Sequence, residues 1–358
     1  TVIFSFFYGS ITFKNKYETW KIYARSKRDA FVLSSFDFIG VGCVMLGILF
    51  NIQNWPGQRL LFVIGAIGIF LGIIFWKRIL KREVFFRKEA EDKVKESLEK
   101  IEQSHKEIRD SINYARRLQD AILPSGDYFQ KHFPESFILY KPKDIVAGDF
   151  YWMEVIGNLT LVAVADCTGH GVPGAMVSVV CNNALNRTVN EFGLKDPGKI
   201  LDKVNGLVLE TFNKSNDEVK DGMDISLLSL ESGVGSSEKR IVKWSGANNP
   251  LWVVRKNNLI EIKADKQPIG QHDNRKPFTN HEIEIEKGDS IYLFTDGYAD
   301  QFGGPKGKKF KYRQISDKLV SIQEKSMNQQ KAILAETLEN WKGNLEQVDD
   351  ICIIGIRF

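Results

Sequence analysis

Apolar residues recur along this chain in three rhythms. The first is unbroken apolarity. Phe38 to Ile52 carries no charge, and neither does Leu60 to Trp76. A membrane-spanning helix needs about twenty apolar residues. The first run reaches that length once Phe31–Phe36 are included, with Asp37 near its boundary. The connector, Gln53 to Arg59, is short and holds Trp55, Pro56 and Gly57. Tryptophan at this position suits the interfacial aromatic belt. The pattern predicts two transmembrane helices over residues 31–76. The competing expectation is two buried core helices of a soluble domain.

The second rhythm starts at Lys77. Charges are dense to Asp120, with no glycine or proline. Val94, Leu98, Ile101, His105, Ile108, Ile112, Ala115, Gln119 and Ile122 follow one another in steps of four and three. That is a heptad seam of about four heptads, with His105 and Gln119 as polar seam positions. Pro124 ends the helix, because it lacks an N–H and clashes with the preceding turn. Residues 77–123 read as a coiled-coil signalling linker joining two copies in parallel, with a solvated single helix as the alternative.

Beyond Pro124 the rhythm is mixed. Strand-length apolar runs lie at Phe137–Tyr140, Leu159–Ala165, Ile225–Leu230, Ile241–Trp244, Leu251–Val254, Ile291–Phe294 and Ile351–Ile356. Helical periodicity covers Pro173–Phe192, Gly198–Asn213, Gln314–Gln323 and Asn328–Trp341, with Pro173 placed as a first helical residue. Strands outnumber helices and the two long helices are consecutive, so residues 124–358 are expected to be α+β, with antiparallel sheet and helices outside.

Charge sets the orientation. Residues 1–88 carry a net +9 and residues 89–358 a net −5. Lys14, Lys16, Lys21, Arg25, Lys27 and Arg28 precede the first span, and Lys77, Arg78, Lys81, Arg82, Arg87 and Lys88 follow the second, while the connector holds only Arg59. Positive charge stays inside, so both ends are placed in the cytoplasm. Residues 1–30 read as a basic cytoplasmic segment whose apolar start, Thr1 to Phe13, also reads as the tail of an earlier span. Beginning at Thr1, the chain is taken as a fragment or a processed product. The total of +4 is too small to argue for nucleic acid. Cys43, Cys167, Cys181 and Cys352 form no CxxC pair, which argues against a zinc site or a disulfide framework.

Candidate chemistry lies at strand ends. Asp149 follows Gly148, Asp166 closes one apolar run, Asp296 closes another before Gly297, and Asp349 and Asp350 precede the last. Carboxylates held on rigid strand ends are what hard cations such as Mg²⁺ or Mn²⁺ require. Two such ions polarise a phosphate and activate water for in-line attack. Thr168-Gly169-His170-Gly171-Val172-Pro173-Gly174-Ala175 joins an acidic strand end to a helix, and its glycines allow close backbone approach. Asp224 follows an Asp221-Gly222 turn and reads as a neighbour of the site, as a ligand of a third ion, or as a solvent-facing hairpin residue. Gly303-Gly304-Pro305-Lys306-Gly307-Lys308-Lys309 reads as a flexible basic loop near the rim, or as a plain solvated loop.

These stretches carry a resemblance. Tyr140-Lys141-Pro142 with Gly148-Asp149-Phe150-Tyr151, Ala165-Asp166-Cys167-Thr168-Gly169-His170-Gly171, Gly246-Ala247-Asn248-Asn249-Pro250-Leu251, Pro268-Ile269-Gly270, Phe294-Thr295-Asp296-Gly297 and Asp349-Asp350-Ile351 occur in the order found in the bacterial SpoIIE/RsbU branch of the metal-dependent Ser/Thr protein phosphatases, the protein phosphatase 2C superfamily. The domain resembles that branch from about residue 137 onward. Ser111-Ile112-Asn113-Tyr114-Ala115 and Ala121-Ile122-Leu123-Pro124 resemble the helix that precedes it.

The resemblance implies a four-layer αββα sandwich and two Mn²⁺ or Mg²⁺ ions between the sheets. It implies that Asp166 bridges the ions, that the Cys167 carbonyl ligates one, and that Asp149, Asp296 and Asp349 complete the shells. Asp350, Gly297 and Asp224 would stand behind them, with the reverse assignment of Asp349 and Asp350 left open. It implies direct attack of activated water on phosphorus and, as substrate, a phosphorylated switch protein such as an anti-sigma antagonist. Together with the two spans and their flanking charges, this places the chain at the bacterial inner membrane with the catalytic domain cytoplasmic. Ala147 and Cys352 depart from the branch's usual Gly and Thr. The wider superfamily's phosphate-binding Arg before the first Asp is missing, which leaves the phosphate to the metals, Lys141 or Lys143. His170 stands four residues after Asp166 rather than two, so general acid and loop-ordering residue both stay open for it. Two rivals are a catalytically silent scaffold on the same fold, and a histidine kinase using His105 in Ser104-His105-Lys106-Glu107-Ile108-Arg109, for which no ATP-binding signature follows.

Overall fold

The computed structural model describes residues 39–40, 42–49, 51–53, 56–213, 221–231 and 239–358. It divides into two compact units, residues 1–105 and 106–358. In the first, residues 42–49 are helical and the long helix α1 (Gln58–Ile122) begins. Glycines let these two helices approach. A Cβ on Gly65 would lie 2.6 Å from Val44 Cγ2 and 2.8 Å from the Gly40 carbonyl, and one on Gly47 would lie 3.4 Å from the Phe62 ring. Residues 40, 44 and 47 thus meet 65 and 62 in reverse order, an antiparallel pair of the small-residue kind that membranes favour. Among the described residues, the apolar start of α1 is the one stretch long and apolar enough to cross a membrane. Residues 1–38 and the connector's Trp55 lie outside the described residues, and with them the predicted basic segment and part of the first span.

The second unit is a sandwich of two five-stranded antiparallel sheets. One sheet has the order β1-β12-β9-β6-β7: β1 (Ser136–Lys141), β6 (Leu251–Arg255), β7 (Asn258–Ile262), β9 (Ser290–Phe294) and β12 (Ile351–Arg357). The other has the order β2-β3-β4-β5-β8: β2 (Phe150–Ile156), β3 (Leu159–Cys167), β4 (Met223–Glu231), β5 (Lys239–Ala247) and β8 (His281–Glu286). Helices α3 (Gly171–Asn190) and α4 (Pro197–Phe212) cover the second sheet, and α6 (Tyr312–Ser321) and α7 (Met327–Lys342) cover the first. Short pieces α2 (Gly126–His132), α5 (Gly297–Asp300), β10 (Phe302–Gly303) and β11 (Lys308–Lys309) complete the unit.

Both faces of the central strands are buried, which is why they read as continuous apolar runs. In β3, Leu161, Ala163 and Ala165 face α3 and α4, while Val162 and Val164 enter the core between the sheets. In β12, Cys352, Ile354 and Ile356 enter that same core and Ile351 and Ile353 face α6 and α7. The period of two fixes which side of the sheet every residue beyond the core must take.

All seven predicted strands and all four predicted helices are present, with shifts of up to three residues at their ends. Pro173 is the third residue of α3 rather than its first. Strands β2, β7 and β8 escaped the reading because their polar positions break the apolar runs. β7 lies at a sheet edge with an alternating, half-exposed pattern. The basic segment Gly303–Lys309 is a short tied hairpin rather than a flexible loop: Gly304 N–H donates to the Trp341 carbonyl at 2.8 Å, and Lys309 Nζ donates to Asp300 Oδ2 at 2.6 Å. Replacing Ile354 with Ala in the inter-sheet core is expected to cost about 2–5 kcal/mol by urea unfolding, and Ile260→Ala in β7 under about 1 kcal/mol. Equal losses would contradict the assignment of the core.

Candidate functional site

The site forms where β3, β4 and the segments after β9 and before β12 emerge at one end of the sandwich. Asp166 is the penultimate residue of β3, and by strand alternation it takes the same face as Val162 and Val164, toward the opposite sheet. Asp224, second in β4, is its direct partner in the antiparallel register. The turn before β4 is held by Thr168, whose hydroxyl and backbone N–H both engage Gly222. Gly222 has no room for a side chain, since a Cβ there would lie 1.9 Å from the Ile269 carbonyl. Asp224 is thus drawn to the site rather than to solvent, and Asn248 Nδ2 donates to its Oδ1 at 2.8 Å.

Asp296 stands at the N-cap position of the one-turn helix α5 without a side-chain capping bond, and Asp349 lies in the segment that leads into β12. Asp166, Cys167, Thr168, Gly169, His170, Asp224, Asp296 and Asp349 share one cleft of about 330 Å³, which Pro268 to Gln271 also line. Asp149 lies just behind, 2% exposed. The Thr295 hydroxyl contacts its carboxylate, yet Oδ2 has no partner. A larger groove of about 670 Å³ lies among α6, α7 and the β10–β11 hairpin and holds no converging carboxylates.

The two acids before β12 have different partners. Asp350 is 2% exposed and accepts from the Lys143 and Gly148 N–H groups, each at 2.7 Å. Its lone pairs are spent on organising the loop that carries Asp149. Asp349 lines the cleft and accepts the Asp350 N–H at 2.8 Å. This fits Asp349 to a ligand's position and Asp350 to a supporting one. Gly297 lets these segments meet: a Cβ there would fall 2.0 Å from the Asp350 carbonyl.

Electrostatics make the cluster unstable as bare anions. Burial, then the charges of Asp296, Asp349 and Asp224, push Asp166 up to about 8. Burial and then Asp166 hold Asp149 well above the carboxylate range. Asp296 and Asp224 are raised, again chiefly by burial. Such a site is neutralised either by protons or by a cation. Asp149 Oδ2, buried and unpartnered, is the atom that most needs one. All-oxygen donors suit Mg²⁺ or Mn²⁺. Among the described residues no three His, Cys, Asp or Glu side chains stand close enough together to hold a metal ion by themselves.

Neither Lys141 nor Lys143 lines the cleft. Lys141 pairs with Glu339, and Lys143 contributes its backbone to Asp350. His170 does line it. One residue was misassigned from the sequence: Gln119 is no seam position. It is 5% exposed, and its amide receives the Ala147 N–H at 3.1 Å and donates to the Ala147 carbonyl at 2.6 Å and to Ser178 Oγ at 3.0 Å. The end of α1 is thereby fastened two residues before Asp149. A polar residue in an otherwise apolar seam was the available signal.

The family model described as Stage II sporulation protein E (SpoIIE) matches residues 157–358. The phosphoserine phosphatase RsbU of Bacillus subtilis (strain 168) is 24% identical over 198 residues, 54% of this chain and 55% of that protein. This chain thus spans about half the length of that relative. Among solved structures, the SiaA-PP2C domain of Pseudomonas aeruginosa is 31% identical with a TM-score of 0.64, covering 71% of this chain and 98% of that one. The PP2C phosphatase domain with a regulatory fragment of SpoIIE from Bacillus subtilis superposes with a TM-score of 0.50 at 19% identity, over 62% of each chain, and shares the fold. With two antiparallel sheets between helices and the acidic residues gathered at one end, the chain belongs to the SpoIIE family of PP2C-fold phosphatases.

Proposed function

We propose that this chain is a membrane-anchored, metal-dependent phosphoserine/phosphothreonine protein phosphatase of bacterial signalling. The observation that carries the reading is the buried group of carboxylates, unpaired by any cationic side chain and headed by the orphaned Asp149 Oδ2. Asp149, Asp166, Asp296, Asp349 and the Cys167 carbonyl would hold two Mn²⁺ or Mg²⁺ ions. Two such ions supply charge neutralisation at the phosphoryl group and acidify bound water. The chain's own share is positioning. Thr295 and Asp350 fix the loop of Asp149, Thr168 fixes the turn before Asp224, and His170 faces the cleft as the proton-transfer candidate.

The substrate is a phosphorylated partner protein, in line with RsbU's name as a phosphoserine phosphatase; an anti-sigma antagonist-like switch protein fits. The apolar start of α1 and its antiparallel neighbour support a transmembrane hairpin, with the catalytic unit in the cytoplasm at the inner membrane. Val94, Leu98, Ile101 and Ile108 stand exposed on α1. Their heptad spacing suits a second copy of the same helix, so the chain acts as a homodimer. The Gln119–Ala147 bonds would pass a change in that linker to the loop of Asp149. The sandwich of residues 124–358 leaves the kinase reading of His105 without an ATP-binding domain.

Phosphate release from a phosphoserine peptide by the full chain in detergent is expected to require Mn²⁺ or Mg²⁺, and to fall more than about 100-fold in Asp166→Asn. No release at any metal concentration, with partner binding retained, would favour the silent scaffold. Metal-free protein should also reveal the protonated cluster. Asp166 keeps its proton in the fold up to about 8 and ionises near 3.8 when unfolded. The fold binds more protons between those limits, so stability declines as pH rises through them. In chelator-treated protein the Tm is expected to fall as pH rises from about 5 to about 8, and Mn²⁺ to remove that slope. A flat Tm without metal would count against the cluster. Leu98→Glu with Ile101→Glu is expected to convert a dimer to a monomer in sedimentation; an unchanged mass would remove the coiled coil.

A further inference from the structure

The cleft holds an excess of acid and one side chain able to become cationic. Among its lining residues that side chain is His170. Its ring is fixed from one side: Nδ1 lies 2.9 Å from Asp144 Oδ2. An ionised carboxylate has no proton to give, so Nδ1 carries the hydrogen and donates. That leaves Nε2 as the nitrogen free to exchange a proton with whatever occupies the cleft.

Both side chains are about half exposed, at 50% and 48%, and an ordinary surface pair of this kind is worth little. This one is built by the backbone. His170 sits between Gly169 at φ 83° and Gly171 at φ 62°, two left-handed residues that turn the chain sharply on either side of it. The Gly169 carbonyl is packed against Gly148 and Gly174, where a Cβ would come within 2.3 and 2.2 Å. Asp144 lies over Gly171, whose absent Cβ would stand 3.0 Å from Oδ2. A side chain at 171 would crowd the carboxylate that reaches Nδ1. His170 is also the N-cap residue of α3, yet its side chain makes no capping bond. Helix ordering does not account for the ring's placement.

We propose that Asp144 is a positioning residue for His170. It holds the proton on Nδ1 so that Nε2–H of the imidazolium protonates the departing serine or threonine oxygen. The inference rests on the phosphatase reading of the cleft. As water bonds to phosphorus, the P–O bond to the side chain breaks and its electron pair goes to the leaving oxygen, which takes the Nε2 proton. The proton lost by the attacking water passes to solvent, from which the imidazole is reprotonated. A sharp-turn spacing of four residues from Asp166, rather than two, is compatible with this role because the positive-φ glycines redirect the chain.

The test compares two esters on the full chain in detergent with Mn²⁺. A phosphoserine peptide has a leaving oxygen that needs a proton, whereas 4-nitrophenyl phosphate leaves as a stable anion. The ratio of kcat for the peptide to kcat for the aryl ester is expected to fall about 10- to 100-fold in Asp144→Ala and in His170→Gln. Asp144→Ala should add nothing to His170→Gln in the double variant, and Asp144→Glu should recover part of the ratio. Nitrogen-15 spectra of histidine-labelled protein should show the Nδ1–H form of His170 lost in Asp144→Ala. An equal fall on both esters, or an unchanged His170 tautomer, would reduce Asp144 to a loop residue and overturn the proposal. A wild type inactive on both esters would overturn the phosphatase reading itself.

Discussion

Five carboxylates, those of Asp149, Asp166, Asp224, Asp296 and Asp349, are gathered where the two sheets end. Like charges at such range in a partly dry cleft repel strongly, and burial adds a desolvation cost. Among the described residues no lysine or arginine lines the cleft with them. The cluster survives because the scaffold leaves those residues nowhere else to go. Asp166 and Asp224 are locked opposite each other by the β3–β4 ladder. Asp149 is buried behind β2, and the turn before β12 is pinned by Asp350. A fold that forces acids together is primed for a divalent cation, and most of the local detail serves that compression.

Glycine and backbone hydrogen bonds do the compressing. Gly222 and Gly297 allow carbonyls within distances no side chain would tolerate. Thr295 links β9 to β12 through Cys352, with its hydroxyl accepting the Cys352 N–H at 3.0 Å while touching Asp149. The same economy reaches the linker: one glutamine amide satisfies both backbone groups of Ala147, so the last turns of α1 and the loop of Asp149 share a buried contact. Breaking that contact would strand two backbone groups, at about 1–3 kcal/mol each.

The strands of the inter-sheet core were legible because burial on both faces writes them as unbroken apolar runs. Asp166, Asp296 and Asp349 were legible because each closes such a run or stands just before one, and Asp149 through the stretch Gly148-Asp149-Phe150-Tyr151. The helical character of residues 77–122 could be read because that stretch is densely charged and holds no glycine or proline, whereas its continuity with the apolar stretch before it appears only in the fold. Edge strands β7 and β8 were not legible, because an exposed edge tolerates polar residues at any position.

The sequence by itself therefore determined the order of elements, the apolar and heptad segments, and the identity of the acids. Local pattern encodes what each residue needs from its immediate surroundings. Only the tertiary structure decided which of two adjacent acids faces the cleft. It also decided that Asp224 stands opposite Asp166, that Gln119 leaves the seam to hold Ala147, and that Asp144 reaches His170. Each of these depends on a contact between segments distant in sequence, set by sheet register and close glycine packing. Neither is written in the spacing of residues along the chain.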